Sequence, residues 1–411
     1  MEKKDVLLQN TKMMQNELPT IHQSPTQIFG RFLKFGFLAW GGPVAQIAMI
    51  KRELVEEEKW ITVEKFNRVL AVYQALPGPE AHELCVYFGM LAGGRRGGFL
   101  AGLGFMLPGL VLMLLLTGFY VTFGVQSALI LAVFAGFQSA VVALIVTAVH
   151  RIGKHILVNV PLATIAVIAA VAFFLGAHFL FILPTAGVAY FFWVRGNTVM
   201  AVLPVVFLLL YAGYSFVPDI SPALTSAETM APGFHQGSIF QIFFSGLKGG
   251  LLTFGGAYTA IPFMQQDAVL EQAWMTQQQF LDGIALSGIL PAPMIIFTTF
   301  VGYFGGGWPG AVAITLGIFL PAFSFTLIGH QLMERLIAHK TLHDFLDGLS
   351  AGAIGLMATT AVLLLRETLQ DGRSLAICMA AFLVLHYFKS KFTVIYVVTG
   401  SGLLALLFRN G

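Results

Sequence analysis

The chain has 411 residues, of which 57% are hydrophobic and only 10% charged, against roughly 25% charged in a soluble domain. Long apolar runs recur from end to end, so this is an all-α polytopic membrane protein, and a formal charge of +3 is too small to imply a nucleic-acid partner. Cys85 and Cys378 both lie in apolar stretches, with no disulfide or zinc spacing.

From the N-terminus, residues 1–26 are polar and read as a cytoplasmic tail, without the apolar core of a cleaved signal. Gly41-Gly42-Pro43 interrupts the next apolar stretch, giving a short hairpin with arms 28–40 and 44–53. Lys51 to Lys59 is a charged surface segment. A second hairpin, Phe66 to Gly89, centres on Pro77-Gly78-Pro79, where two prolines stop a helix by removing donors and clashing with the preceding turn. Its arms are each about a dozen residues, roughly 18 Å as helix, too short for a hydrocarbon core of about 30 Å. The tip therefore sits inside the membrane, where bare backbone survives only buried in protein or lining a polar cavity.

After Arg95-Arg96 come expected full spans at 97–122, 126–150, 156–177, 179–194 and 199–217. Residues 218–238 carry no Lys or Arg and form a linker. Further spans are expected at 239–256, 278–304, 308–332, 344–366, 373–388 and 391–409. Gly302 to Gly310 is glycine-rich but lacks the Lys-Ser/Thr of a nucleotide-binding loop, so it reads as a turn.

The second block repeats the first. An offset of 214 carries Lys34, Gly36, Gly41, Gly42, Trp60, Phe66, Leu76, Pro77 and Pro79 onto Lys248, Gly250, Gly255, Gly256, Trp274, Phe280, Leu290, Pro291 and Pro293. Pro108 maps to Pro321 after a slip of one residue. The division is 1–26 tail, 27–195 first repeat, 196–238 linking helix and external linker, and 239–411 second repeat.

Basic residues give the orientation. Arg95, Arg96, Arg151, Lys154 and Arg195 all fall on one side, taken as cytoplasmic, as do Arg335, Lys340, Lys389 and Lys391. Arg366 and Arg373 fall on the other side, against the trend. Residues 51–60 and 335–343 are then cytoplasmic, and 218–238 and the C-terminus external. The span 199–217 supplies the odd crossing that makes the halves inverted-topology repeats. Each repeat has two broken or re-entrant hairpins and about four full spans, a pattern of secondary transporters.

Half-helices begin after the breaks at Val44, Glu80, Tyr258 and Met294. Free N–H groups and the positive dipole end lie at each start, so four of them converging would hold an anion. The candidate substrate site is Gly41, Gly42, Pro43 and Val44; Pro77, Gly78, Pro79, Glu80 and Ala81; Gly255, Gly256, Ala257 and Tyr258; and Pro291, Ala292, Pro293 and Met294. Against this stands the reading that the breaks are packing kinks. Lys34 and Lys248 either offset the anion's charge or snorkel to the interface. Glu80 either carries a proton or caps its helix, and His82 joins it as a coupling candidate. His82-Glu83 begins like a zinc-protease motif, but Val86 stands where its second histidine belongs, so no metal site is expected. Arg68 and Asp282 are repeat-equivalent and either pair across the two-fold axis or are separate surface charges. His150, His155, His339 and His343 read as loop residues, and His178, His330 and His386 as interface residues at span ends.

These residues resemble the chromate ion transporter family. The first half carries Trp40-Gly41-Gly42-Pro43, Trp60-Ile61-Thr62, Leu76 through Ala81, Phe88-Gly89 and Leu107-Pro108. The second carries Phe254 through Tyr258, Trp274-Met275-Thr276, Leu281-Asp282-Gly283, Pro291-Ala292-Pro293 and Phe319-Leu320-Pro321. The resemblance spans about residues 28–409 and implies a multi-pass inner-membrane protein, with oppositely oriented halves, that exports chromate using the proton motive force. Trp40 stands where Phe is common and Ala292 where Gly is common. The resulting expectation is a secondary transporter of chromate or sulfate with protons as coupling ion in antiport, no cofactor, and the lipid bilayer as surroundings. A sulfate carrier that moves chromate by mimicry and an anion channel are the alternatives. A membrane enzyme is disfavoured, since no nucleophile–base pair appears, and a homodimer is one of the assembly states the sequence permits.

Overall fold

The computed structural model describes residues 21–124, 128–216, 236–337, 340–388 and 390–409. Residues 1–20 of the tail, 218–235 of the linker and His339 lie outside the described residues. The described residues are helical, without strands.

In the first repeat, α1 (Pro25–Phe37) and α2 (Gly42–Ile50) flank the Gly-Gly-Pro break, and α2 runs on through a wider turn, Lys51–Glu57. α3 (Val63–Ala75) and α4 (Glu80–Phe119) flank Pro77-Gly78-Pro79. α5 (Ala128–Ile156), α6 (Val160–Phe174) and α7 (Phe179–Val194) follow, then the unduplicated α8 (Thr198–Phe216). The second repeat gives α9 (Ile239–Leu251), α10 (Ala260–Gln265), α11 (Gln277–Gly288), α12 (Phe297–Ile337), α13 (Lys340–Thr368), α14 (Gly372–Tyr387) and α15 (Thr393–Arg409). Glu80–Phe123, Leu129–Ile156, Met294–Gly329 and Leu342–Thr368 are long and apolar enough to cross a membrane.

The expected spans 239–256 and 278–304 are not continuous. The first stops at Leu251 before the Gly255-Gly256 break, and the second is cut by Pro291-Ala292-Pro293, as their repeat-equivalents are. α6, α7, α14 and α15 are shorter apolar helices of 15 to 17 residues, about 23–26 Å at 1.5 Å per residue. The charged segment after α2 is helical, and it buries Leu54 and Val55.

Local chemistry repeats with the sequence. Ser24 caps α1 by accepting from the Gln27 N–H, and Ser238 caps α9 by accepting from the Gln241 N–H. Thr62 and Thr276 cap α3 and α11 in the same way, through Lys65 and Gln279. Each cap satisfies one of the donors a helix start leaves open. α4 and α12 each fold back on themselves. At Gly94 (φ +62°) and Gly307 (φ +63°) the backbone leaves the helix. Gly89 then lies against Gly97 and Ala101, and Gly302 against Gly310 and Ile314. The arm ending near Gly93 and the span starting at 97 are therefore separate legs of a hairpin.

Packing relates the halves by a two-fold exchange. α1 packs on α4 and α9 on α12. A β-carbon on Gly36 would lie 2.6 Å from the Phe105 carbonyl, and one on Gly250 would lie 2.4 Å from that of Ile318. Such closeness is the use of small residues at membrane helix interfaces. α5 packs on α14 and α15 of the other repeat, and α13 on α6 and α7. The second legs of α4 and α12 run antiparallel, with Gly98 beside Leu327, Gly102 beside Phe323 and Gly118 beside Trp308.

Candidate functional site

The breaks are tied together in crossed pairs. The Gly78 N–H donates to the Thr253 carbonyl at 2.8 Å, joining the Pro-Gly-Pro break to the second repeat's Gly-Gly break. Gln46 is 1% exposed and donates from Nε2 to the carbonyls of Ala39 (2.9 Å) and Ala292 (3.1 Å), joining the other two.

Above this knot lies a cavity of about 630 Å³. Its floor is Gly41, Gly42, Pro43, Val44, Glu80, Gly255, Gly256 and Tyr258. Gly42 (φ +78°) and Gly256 (φ +121°) hold backbone conformations that disfavour any side chain. A β-carbon on Gly42 would meet no atom within 4 Å, and one on Gly256 only Ile152 Cδ1 at 4.0 Å. Both glycines therefore leave bare backbone facing open space at the start of a half-helix. One wall is a face of α5, with Leu144, Thr147, Ala148, Arg151, Ile152 and His155 at helical spacing. The other wall is the first turns of α13, with His343, Leu346, Asp347 and Ser350. Arg195 pairs with Asp344 at 3.2 Å, which places the α7–α8 turn at this same end.

Eight of the expected site residues thus line one cavity. Pro77, Gly78, Pro79, Ala81, Ala257, Pro291, Ala292, Pro293 and Met294 are buried beneath it and do not line it. Lys34 and Lys248 do not line it either. Lys34 is exposed. Lys248 forms an ion pair with Asp267, whose side chain is 4% exposed, and lies over the Phe179 ring at 5.3 Å. His82 is fully buried, with its ring 4.6 Å from Phe323 and 4.9 Å from Phe319.

Arg68 is exposed and does not meet Asp282, and Asp282 is no surface charge. The Asp282 carboxylate accepts from Tyr120 Oη at 2.7 Å and from Gln138 Nε2 at 2.9 Å, which ties α11 to the first repeat. Those polar partners come from spans that look uniformly apolar in sequence, so nothing marked them.

The walls are what sequence reasoning missed. Arg151, His155 and His343 read as loop charges, but they stand on the cavity side of two long helices. The available signal was Arg151 and His155 at i and i+4 on α5, which places both on one helix face. Their repeat-equivalents, at the offset of 212 that relates α5 (Ala128–Ile156) to α13 (Lys340–Thr368), are Leu363 and Glu367. With three basic side chains, two carboxylates and the half-helix starts, the cavity suits a small, compact anion.

The family model described as chromate transporter matches residues 26–192 and 240–406, the two repeats in turn. The chain is 50% identical over 389 residues to a chromate transport protein of Pseudomonas aeruginosa, covering 93% of this chain and 92% of that one. It is 29% identical to a chromate transport protein of Cupriavidus metallidurans, covering 94% and 95%. No solved structure matches.

Proposed function

The chain belongs to the chromate transporter family, and on that basis we propose that it exports a divalent tetrahedral oxyanion, chromate before sulfate, through the cavity over the crossed breaks. The observation that carries this reading is the floor itself: bare backbone at Gly42 and Gly256 at the starts of two half-helices. A dianion needs several donors at once, since burying it unpaired is prohibitive. Backbone N–H groups at helix starts supply donors without a counter-charge, and Arg151, His155 and His343 draw the anion from the mouth.

The halves are read as inverted repeats, with residues 51–60 and 335–343 cytoplasmic and the C-terminus external. The antiparallel run of the second legs of α4 and α12 supports this, and so does the cluster of basic residues at the cavity's open end. The mouth then faces the cytoplasm, and the substrate loads from inside. The electrical part of the proton motive force suffices to drive export: one charge is worth about 2.3 kcal/mol per 100 mV, and a dianion leaving a negative interior gains about twice that. Glu80, on the cavity floor, is the coupling residue.

Everted and right-side-out vesicles loaded with the protein test this reading. Radiolabelled chromate should accumulate in everted vesicles, faster when their interior is made positive, and unlabelled sulfate should compete. Accumulation confined to right-side-out vesicles would overturn the direction, and indifference to both anions would overturn the substrate.

A further inference from the structure

Glu80 and Glu83 stand one turn apart at the start of α4. Glu80 is 6% exposed and reaches the cavity floor, while Glu83 lies behind it at 0%. Neither carboxyl oxygen of Glu83 has a hydrogen-bond partner among the described residues. Glu83 packs under the Pro-Gly-Pro break, with Oε1 3.1 Å from where a β-carbon on Gly78 would sit. Ala322 of α12 flanks the same spot, and Phe319 and Phe323 of α12 cover the adjacent His82. In the second repeat the equivalents of Glu80, His82 and Glu83 are Met294, Ile296 and Phe297. The acids thus belong to one half alone, and two-fold packing did not require them.

We infer that Glu80 and Glu83 form a single proton site whose occupancy is a condition of anion binding, so that proton and anion move in the same direction. The inference rests on the anion reading of the cavity. A carboxylate on the floor repels a dianion seated beside it, whereas a carboxyl that has taken a proton from cavity water does not and can donate to an anion oxygen. Glu83 lacks any donor to hold it as an anion, and a buried charge without a partner is strongly disfavoured. The inner carboxyl therefore keeps a proton and exchanges it with the cavity through Glu80. A dianion with one proton still carries net negative charge, so the membrane potential continues to drive it outward. Protons are then passengers in the direction of the anion, and the opposite exchange expected from the family resemblance is replaced.

Purified protein and radiolabelled sulfate, whose charge is constant over the working range, test the sign. The other titratable groups facing Glu80 are His155 of α5, His343 and Asp347 of α13, and Tyr258, with Arg151 as fixed charge. His155 and His343 gain charge as pH falls and would also favour the anion. Binding is therefore compared in wild type and in a His155→Gln, His343→Gln, Asp347→Asn background. In both, sulfate affinity should rise as pH falls, approaching about tenfold per pH unit for one coupled proton. Glu80→Gln should abolish the slope in that background and reduce it in the wild type, while still binding sulfate. Glu83→Gln should keep the slope but shift its midpoint. A slope that survives Glu80→Gln in that background, an affinity that falls with falling pH, or an unshifted midpoint in Glu83→Gln would each overturn the inference. Absence of sulfate binding to the wild type at every pH would instead refute the anion site.

Discussion

Replacing Gly42 by Ala puts a single methyl group into the cavity at the start of α2. Nothing lies within 4 Å of its β-carbon, so the methyl clashes with no protein atom and enters the open space proposed to hold the anion. The φ of +78° costs an L-residue about 1–2 kcal/mol, which lowers stability without unfolding the helices. If the methyl forces an anion oxygen away from one backbone N–H, the loss is that of a hydrogen bond to a charged group, about 1.5–3 kcal/mol. Sulfate or chromate affinity should therefore fall roughly ten- to 150-fold. Gly94→Ala is the matched control, because it has φ +62°, equally open surroundings and a place at the far turn of α4. Both variants should lose similar amounts of thermal stability in detergent, and only Gly42→Ala should lose affinity by isotope binding. Wild-type affinity in Gly42→Ala would refute backbone binding at this break. Gly78 is not an equivalent probe, since a side chain there strikes Glu83 and Ala322 and does not enter the cavity.

Arg151→Gln should weaken sulfate binding and flatten its dependence on ionic strength, because a fixed charge at an open mouth acts through a field that salt screens; unchanged salt dependence would remove Arg151 from the loading path. Lys248→Met should destabilise the protein by about 3 kcal/mol, since it strands the buried Asp267 with only its hydrogen bond from Ser245. Lys34→Met should leave thermal stability and sulfate affinity as they were, and an affinity loss in either variant out of proportion to stability would restore a role in charge balance.

The hairpins were legible because their signals are local. Two prolines around a small residue stop a helix wherever they occur, and the serine and threonine caps recur at the same offset. The break positions and the duplication could therefore be read directly. Among the outer helices, α7 coincides with the expected span 179–194, whereas α6 (Val160–Phe174) is shorter than the expected 156–177, because Asn159 caps its start and Gly176 ends it. The cavity walls were the least legible part. Arg151 and His343 are far apart in sequence, and only the packing of α5 and α13 places them around one space. Lys34 and Lys248 show what repetition alone does not tell: identical residues at repeat-equivalent positions meet different surroundings. Asp267 receives Lys248, whereas Glu53 stands at the corresponding place in the first repeat and Lys34 is exposed.

Such differences between the halves carry the transport argument. A duplicated chain that kept its symmetry would have two equal cavities, one at each end, and no preference between them. Here the knot is already unequal. Gly78 bonds Thr253 directly, but the equivalent pair, Ala292 and Ala39, is bridged by the amide of Gln46, whose own equivalent is Ala260. The walls are unequal too, with Arg151 and His155 at one end and Leu363 and Glu367 in their places at the other. Exchange of the open end for the closed one would have to cover the Arg151 guanidinium. That cost is electrostatic, and no matching cost falls on Leu363 and Glu367, which are exposed. On the proposed reading, the end with the basic wall collects the anion, and the end that carries Leu363 and Glu367 in those places repels it and releases it.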